Sequence, residues 1–364
     1  MKIESDYIIV GSGLTGATIA RCLHDANYRV VVLDRRSHLG GNVHDQYHES
    51  GIRFHTYGPH YFRTSSDKIW EFVNRFSDFY KFEAVVKSLV DGEFENWPVA
   101  SSFIKKTLGE NWQNGFSGLP SNFEEASLAM MPEMIYKKFV KGYSEKQWGV
   151  SATELSTTLA RRFDVRDDDE PRLMRHKYQG LPMRGYADFM RSILDGIPVV
   201  LNCDYLANRD NIKAASKLIY TGPIDEYFNF DMGRLKYRGQ IRQHTFLPDV
   251  KYKFPCGQIN NPQVANGDHI RTLEWKHMMQ KEVAEKIHGT LLTTEKTLTP
   301  SDPNMYEYPF PDDKNGQLYN TYKDRADQIN GLLVCGRLGE YRYYDMDQAI
   351  ARALQIAQRI IDCQ

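Results

Sequence analysis

Residues 6–42 read DYIIVGSGLTGATIARCLHDANYRVVVLDRRSHLGGN, and this stretch decides the fold. Tyr7, Ile8, Ile9 and Val10 make a run too short and too β-branched for a helix, and it leads straight into Gly11, Gly13 and Gly16. The spacing is G-x-G-x-x-G in the strand, turn and helix setting that gives the motif its meaning. Gly11 permits a tight turn, Gly13 lets the backbone approach a pyrophosphate, and Gly16 lets the following helix lie close on the strand with its N-terminal amides facing the phosphates. Ala17, Ile19, Ala20 and Leu23 give that helix a buried face. Asp34 closes a second strand, Arg29 to Leu33, where a carboxylate is expected to take ribose hydroxyls. The chain therefore opens with a dinucleotide cradle.

Gly40 and Gly41 follow the acid and lead to Asn42. A second bare backbone segment at this distance fits FAD better than NAD, because it can lie against the pyrophosphate and ribityl chain of a deeply held flavin. The bulk composition agrees with a soluble enzyme. The chain of 364 residues has room for two or three domains at ~100–200 residues each. Its 46 Lys and Arg against 47 Asp and Glu leave a net charge of -1, so no basic field recruits nucleic acid or anionic membrane, and anion binding has to come from local arginines. No apolar stretch approaches the ~20 residues of a membrane span, the first residues already read as a core strand rather than a signal peptide, and the cytoplasm is the expected location. The five cysteines are scattered, with no C-x-x-C pair, which argues against a disulfide framework or a zinc site.

Further along, Ile69, Trp70, Phe72, Val73 and Phe76 recur at helical spacing, and Asn122 to Trp148 is helical again. Strand-like pieces alternate with turns from Gly185 to Tyr308, including a buried strand ending in TGP at Thr221 to Pro223. The end returns to the opening style, with a strand at Leu332 to Cys335, a Gly-Arg turn, and a helix with one apolar face. The expected architecture is α/β. A Rossmann-like FAD-binding domain is built from both chain ends (1–83, 183–228 and 328–364), with an inserted helical substrate domain (84–150) and an antiparallel β-sheet domain (151–182 and 229–327).

VGSGLTGA, LGGN, YGPH at Tyr57 to His60, KGYSEKQWG at Lys141 to Gly149, IYTGPID, and GRLGEYRYYDMDQAI together resemble the bacterial UDP-galactopyranose mutases over essentially the whole length. The resemblance implies a cytoplasmic isomerase that interconverts the pyranose and furanose forms of a nucleotide sugar, UDP-galactose or a related one, without net redox change. FAD must be reduced, and a covalent flavin-sugar adduct forms, so the cofactor supplies the nucleophile and no Ser, Cys or Lys nucleophile is needed. It also implies a transient reductant such as NAD(P)H, a homodimer, and a product destined for polysaccharide. The rival from another class is an FAD-dependent oxidase or dehydrogenase of the amine oxidase type.

Carried over residue by residue, the resemblance makes Arg166, in a charge-dense segment read as loop rather than core, and Arg271 the guanidinium pair for a departing diphosphate. His60 is placed beside the flavin. Phe139, Tyr143 and Trp148 are placed on the base, and Tyr178, Tyr308, Tyr343 and Asp345 around the phosphates. Thr15, Arg35, Gly41, Asn42, Gly336, Arg337, Met346 and Asp347 join Gly11, Gly13, Gly16, Asp34 and His60 as cofactor contacts. No metal is expected. The chain departs from the family at YGPHYFRT, where members read YGPHxFHT. Arg63 puts a permanent cation where an imidazole is usual, next to flavin and sugar, and this leaves both the sugar and the nucleotide base open. Val140 replaces a common second phenylalanine, and Glu307 precedes Tyr308 where Tyr-Tyr-Pro is common.

Overall fold

The computed structural model describes residues 2–163 and 165–363, apart from the side chain of residue 162. Five parallel strands form one sheet, in the spatial order Val199–Val200, Val30–Leu33, Ile3–Val10, Ile212–Tyr220 and Leu332–Val334. Parallel neighbours need long crossovers, so Tyr7 sits opposite Val30 on one side and Lys217 on the other. Tyr7, Ile8 and Ile9 are wholly buried, as an unbroken apolar run in a sheet covered on both faces should be. The helix Leu14–Asp25 buries Ala17, Ile19, Ala20 and Leu23. It lies against the helix Met346–Asp362, which buries Ile350, Ala353, Ile356, Ala357 and Ile360, so the two chain ends close on one core.

A seven-stranded sheet runs in the order Tyr308–Pro309, Tyr237–Leu247, Thr290–Leu298, Arg271–Glu274, Gln258–Asn260, Val86–Val90 and Glu93–Trp97. Its pairs are antiparallel except Gln258–Asn260 on Val86–Val90, which is parallel. On one face the register lines up Arg242, Glu295, Arg271, Asn260, Ser88 and Glu95 across successive strands. Glu295, Asn260 and Ser88 of this row are buried, and buried polar residues on a sheet face mark it as the wall of a site rather than packed core. A three-stranded sheet, Phe62–Thr64, Tyr178–Pro182 and Phe79–Lys81, lies between the larger ones in sequence.

Several boundaries drawn from the sequence move. Val86–Val90 and Glu93–Trp97, assigned to the helical unit 84–150, belong to the large sheet, because the local hairpin finds its partner in Gln258–Asn260. Residues 152–162, assigned to the sheet unit, form two 3-10 turns packed into the helical core with Phe123, Ile135, Phe139, Val140 and Trp148. Tyr178–Pro182 pairs with Phe62–Thr64 and Phe79–Lys81 instead of the large sheet.

Tyr186–Ile193, within the stretch read as alternating strands, is a helix. Its capping carboxylate comes from far away: Asp45 accepts from the backbone N–H groups of Tyr186 and Ala187, each at 2.8 Å, and Arg53 stands 3.7 Å from the same carboxylate. A capping acid so distant in sequence leaves no local signal. Asp45→Ala should destabilise the protein by about 2–3 kcal/mol, since two amides lose a charged acceptor at a buried helix start. Asp45→Asn should cost less, and the urea unfolding midpoint measures both.

Candidate active site

Two cavities adjoin, the first at the carboxyl ends of the parallel strands. The first, of about 200 Å³, is lined by the turn after the Ile3–Val10 strand (Gly11, Gly13, Thr15, Gly16), by Asp34 to Arg36, by Gly40 to Val43, and by Gly336, Arg337 and Met346. A Cβ on Gly16 would stand 2.0 Å from the carbonyl oxygen of Gly11, so only glycine lets the helix approach its strand this closely. Gly13 and Gly40 are bridged backbone to backbone, which forms the floor of the cradle. An elongated cleft floored by bare backbone at a helix N-terminus suits a dinucleotide pyrophosphate.

Asp34 is more committed than the motif implies. Its Oδ2 accepts from Ser12 N at 2.8 Å and Ser12 Oγ at 2.6 Å, and its Oδ1 accepts from Arg36 N at 2.9 Å. Of roughly four lone-pair sites on a carboxylate, about one is left for a ribose hydroxyl. Arg35 lines the cleft, yet its guanidinium forks onto Glu226 with two 2.8 Å bonds and so turns its charge away from the cleft. Arg36, which the sequence did not single out, donates to Asn42 Oδ1 and lies 4.3 Å over the Tyr57 ring.

The second cavity, of about 250 Å³, shares Asn42, His60, Arg337 and Met346 with the first. One wall is the polar face of the large sheet, with Trp97, Gln258, Asn260 and Arg271. Facing it are Phe139, Tyr143, Ser144, Gln147 and Trp148 from the π-helical turn Tyr136–Lys141 and the helix Gly142–Trp148. Two cations pin that helix. The Lys146 ammonium, whose pKa burial pulls down to about 8, donates to the carbonyls of Asn261, Gln263 and His269. Arg238 donates to the carbonyls of Gln147 and Lys146. This explains Lys146 inside KGYSEKQWG, which fastens the aromatic platform to the segment following the strand Gln258–Asn260.

Near the junction, Arg63 pairs with Asp345 at 3.0 Å, Tyr343 donates to Asp345 Oδ1 at 3.2 Å, and the Tyr308 and Tyr343 rings lie parallel at 6.0 Å. Arg337 stands 4.7 Å over the Tyr343 ring and donates to the Tyr344 carbonyl. Burial, with Arg337, Arg242 and Arg271 nearby, pulls the His60 pKa down to about 3 despite the opposing pull of the Gly58 carbonyl. A neutral imidazole with Nδ1 2.8 Å from that carbonyl carries its proton there and offers Nε2 as the acceptor. Arg271 stays charged although buried, because Glu295 accepts from its Nε.

Most of the residues expected at the site meet at these two cavities, and three do not. Arg166, expected to join Arg271 as a diphosphate ligand, lines neither cavity: it is 7% exposed and donates to the carbonyls of Glu170, Arg172 and Leu173. It is wrapped by its own loop, whose Leu173 and Met174 reach the cavity in its place. Tyr178 stacks on Trp70 at 4.9 Å and donates to Asp67, outside both walls. Asp347 also lies outside them, and its Oδ1 accepts from Gln348 N in the first turn of the last helix. Sequence reading missed Trp97, Gln258, Asn260, Met174 and Phe163. The available signal was the alternation of Gln258 and Asn260 on a strand with no reason to be solvated.

The comparisons with known proteins fit this geometry. UDP-galactopyranose mutase matches residues 138–343, and an NAD(P)-binding Rossmann-like domain matches residues 9–76. A probable UDP-galactopyranose mutase of Klebsiella pneumoniae is 30% identical, aligned over 98% of this chain and 95% of its own. A dTDP-fucopyranose mutase of Escherichia coli is 28% identical, over 97% and 98% respectively. In contrast, polyamine oxidase 2 of Arabidopsis thaliana aligns over only 13% of the chain. A crystal structure of reduced UDP-galactopyranose mutase superposes with a TM-score of 0.74 at 15% identity, covering 99% of this chain and 96% of that one. With more than half of its length inside the family match and nearly all of it aligned to a 30% identical relative, the chain belongs to the UDP-galactopyranose mutase family.

Proposed function

We propose that the first cavity holds FAD, that the second takes a nucleotide sugar, UDP-galactose or a related one, and that the protein interconverts the sugar between pyranose and furanose rings. The observation that carries this reading is the shared wall of Asn42, His60, Arg337 and Met346, which puts the reactive end of a flavin in the cradle next to a sugar in the arginine-lined cavity. Held by the Gly11–Gly16 turn, Gly40 to Asn42 and Arg337, FAD in its reduced form would supply the electron-rich nitrogen that serves as nucleophile.

The chain's residues supply the rest. Phe139, Tyr143 and Trp148 offer ring faces to the base. Arg271, anchored at Nε by Glu295, has its terminal N–H groups for phosphate oxygens, and the Tyr308 hydroxyl adds a donor without adding charge. Tyr343 directs its proton to Asp345, so its part is to hold the Arg63–Asp345 pair at the sugar end. Trp97, Leu159, Phe163, Leu173 and Met174 close the cavity with apolar surface, which keeps water from a sugar whose leaving group has departed. Arg337 and the N-terminus of the last helix put positive potential at the junction and favour an anionic reduced ring there.

The reductant is a nicotinamide coenzyme or another donor acting transiently, and the assembly a homodimer. Among the described residues no helix is long and apolar enough to cross a membrane.

Dithionite-reduced protein incubated with UDP-galactose, UDP-N-acetylgalactosamine and dTDP-linked sugars should give a ring-contracted product from at least one of them, and the oxidised protein from none. Oxygen uptake driven by an amine would instead establish the oxidase. Arg271→Lys should lower kcat/KM about ten- to a hundredfold with FAD still bound, because a bidentate charged contact is lost. Acid should release the cofactor. Burial holds His44 down to about 4 and His60 to about 3, while an unfolded histidine protonates near ~6.5. The stability held in these neutral rings is complete above about pH 6.5 and is lost as the pH falls from there to about 4 for His44 and about 3 for His60. Flavin fluorescence against pH measures the release.

A further inference from the structure

Four charged side chains at the cavity form an alternating chain that the mechanism above uses only at one end. Glu307 receives both terminal nitrogens of Arg242, Nη1 on Oε1 and Nη2 on Oε2, each at 2.8 Å. The Arg242 Nε donates to Glu295 Oε1 at 2.8 Å, and Glu295 Oε2 accepts from Arg271 Nε. The Arg242, Glu307 and Glu295 side chains are 9%, 7% and 0% exposed. Arg271 and Glu307 belong to the cavity wall, whereas Arg242 and Glu295 stand behind it.

The loop carrying His60 packs directly on this chain. Gly58, at φ +89°, is so close that a Cβ would stand 2.8 Å from Glu295 Oε1, 3.2 Å from Arg242 Nη2 and 3.3 Å from Arg271 Nη2. In such enclosed surroundings each charge depends on its neighbour. Arg242 has two carboxylates within reach, and its forked contact with Glu307 is the stronger geometry. Glu295 is shared between the two arginines, its Oε1 accepting from Arg242 Nε, which leaves Oε2 to Arg271.

We propose that the Glu307–Arg242 pair tunes the diphosphate clamp. Glu307 holds Arg242 in its fork, so that Arg242 engages only Oε1 of Glu295 and Oε2 aims Arg271, and it places a negative charge in the wall that limits how tightly the departed diphosphate is held before it returns. Both are positioning residues, and the proposal rests on the reading of Arg271 as the phosphate ligand.

The test is calorimetric titration of UDP into the FAD-loaded protein and its variants. A packing role would make every substitution weaken UDP, whereas tuning by charge gives opposite signs. Glu307→Gln should tighten UDP about fivefold, Arg242→Gln should weaken it about fivefold, and the double variant should return to within about twofold of the parent. Arg271→Lys serves as the control and should weaken UDP about tenfold. If Glu307→Gln weakens UDP or leaves it unchanged while Arg271→Lys weakens it, the tuning role is overturned and the clamp stands. If Arg271→Lys has no effect, the clamp reading fails and the proposal with it. Glu307→Gln keeps the length of the side chain and one acceptor oxygen, so it carries the test alone should Arg242→Gln not fold.

Discussion

The contact between Gly16 and the carbonyl of Gly11 sets the geometry of everything downstream. It lets the first helix sit on the first strand with no side chain between them, so the helix N-terminus ends at Gly13 beside the Gly40–Gly41 turn. A dinucleotide laid across that floor runs toward Asn42 and His60, where the second cavity begins. The floor of the first cavity is thus set by backbone, and Asn42, His60, Arg337 and Met346 form the wall it shares with the second.

The second constraint is electrostatic. A chain with almost no net charge has to gather cations locally to hold a diphosphate, and it gathers them where water is scarce. Arg63, Arg271 and Arg337 face the cavity, and each is held by an oxygen: Asp345 for the first, Glu295 for the second, the Tyr344 carbonyl for the third. Guanidinium groups suit this because the planar fork stays charged when buried and can serve an anchor and a ligand at once. The large sheet supplies the register that makes the pairing possible, since Glu295 lies directly across from both Arg242 and Arg271.

Much of this was legible in the sequence wherever the cause is local. The glycine turn, the buried strand and the amphipathic final helix follow from spacing, and the aromatic platform from its motif. Long-range causes were not legible. The Tyr186–Ile193 helix depends on Asp45, and the Val86–Trp97 hairpin joins a sheet whose next strand begins at Gln258. Charge density around Arg166 pointed to solvent, but the backbone carbonyls of Glu170, Arg172 and Leu173 curl around its guanidinium and bury it. Asp34 was identified as a cleft residue, but nothing in the motif announces that Ser12 and Arg36 already occupy most of its lone pairs.

The closure of the first core by both chain ends has a consequence for biosynthesis. As the chain leaves the ribosome, the Ile3–Val10 strand and its helix emerge early, yet the strand Leu332–Val334 and the helix Met346–Asp362 come last. Until then the apolar flank of the first helix, around Ala17, Ala20 and Leu23, lacks its native cover. Until those elements have been made, that apolar surface stays open to other chains, and aggregation competes with folding.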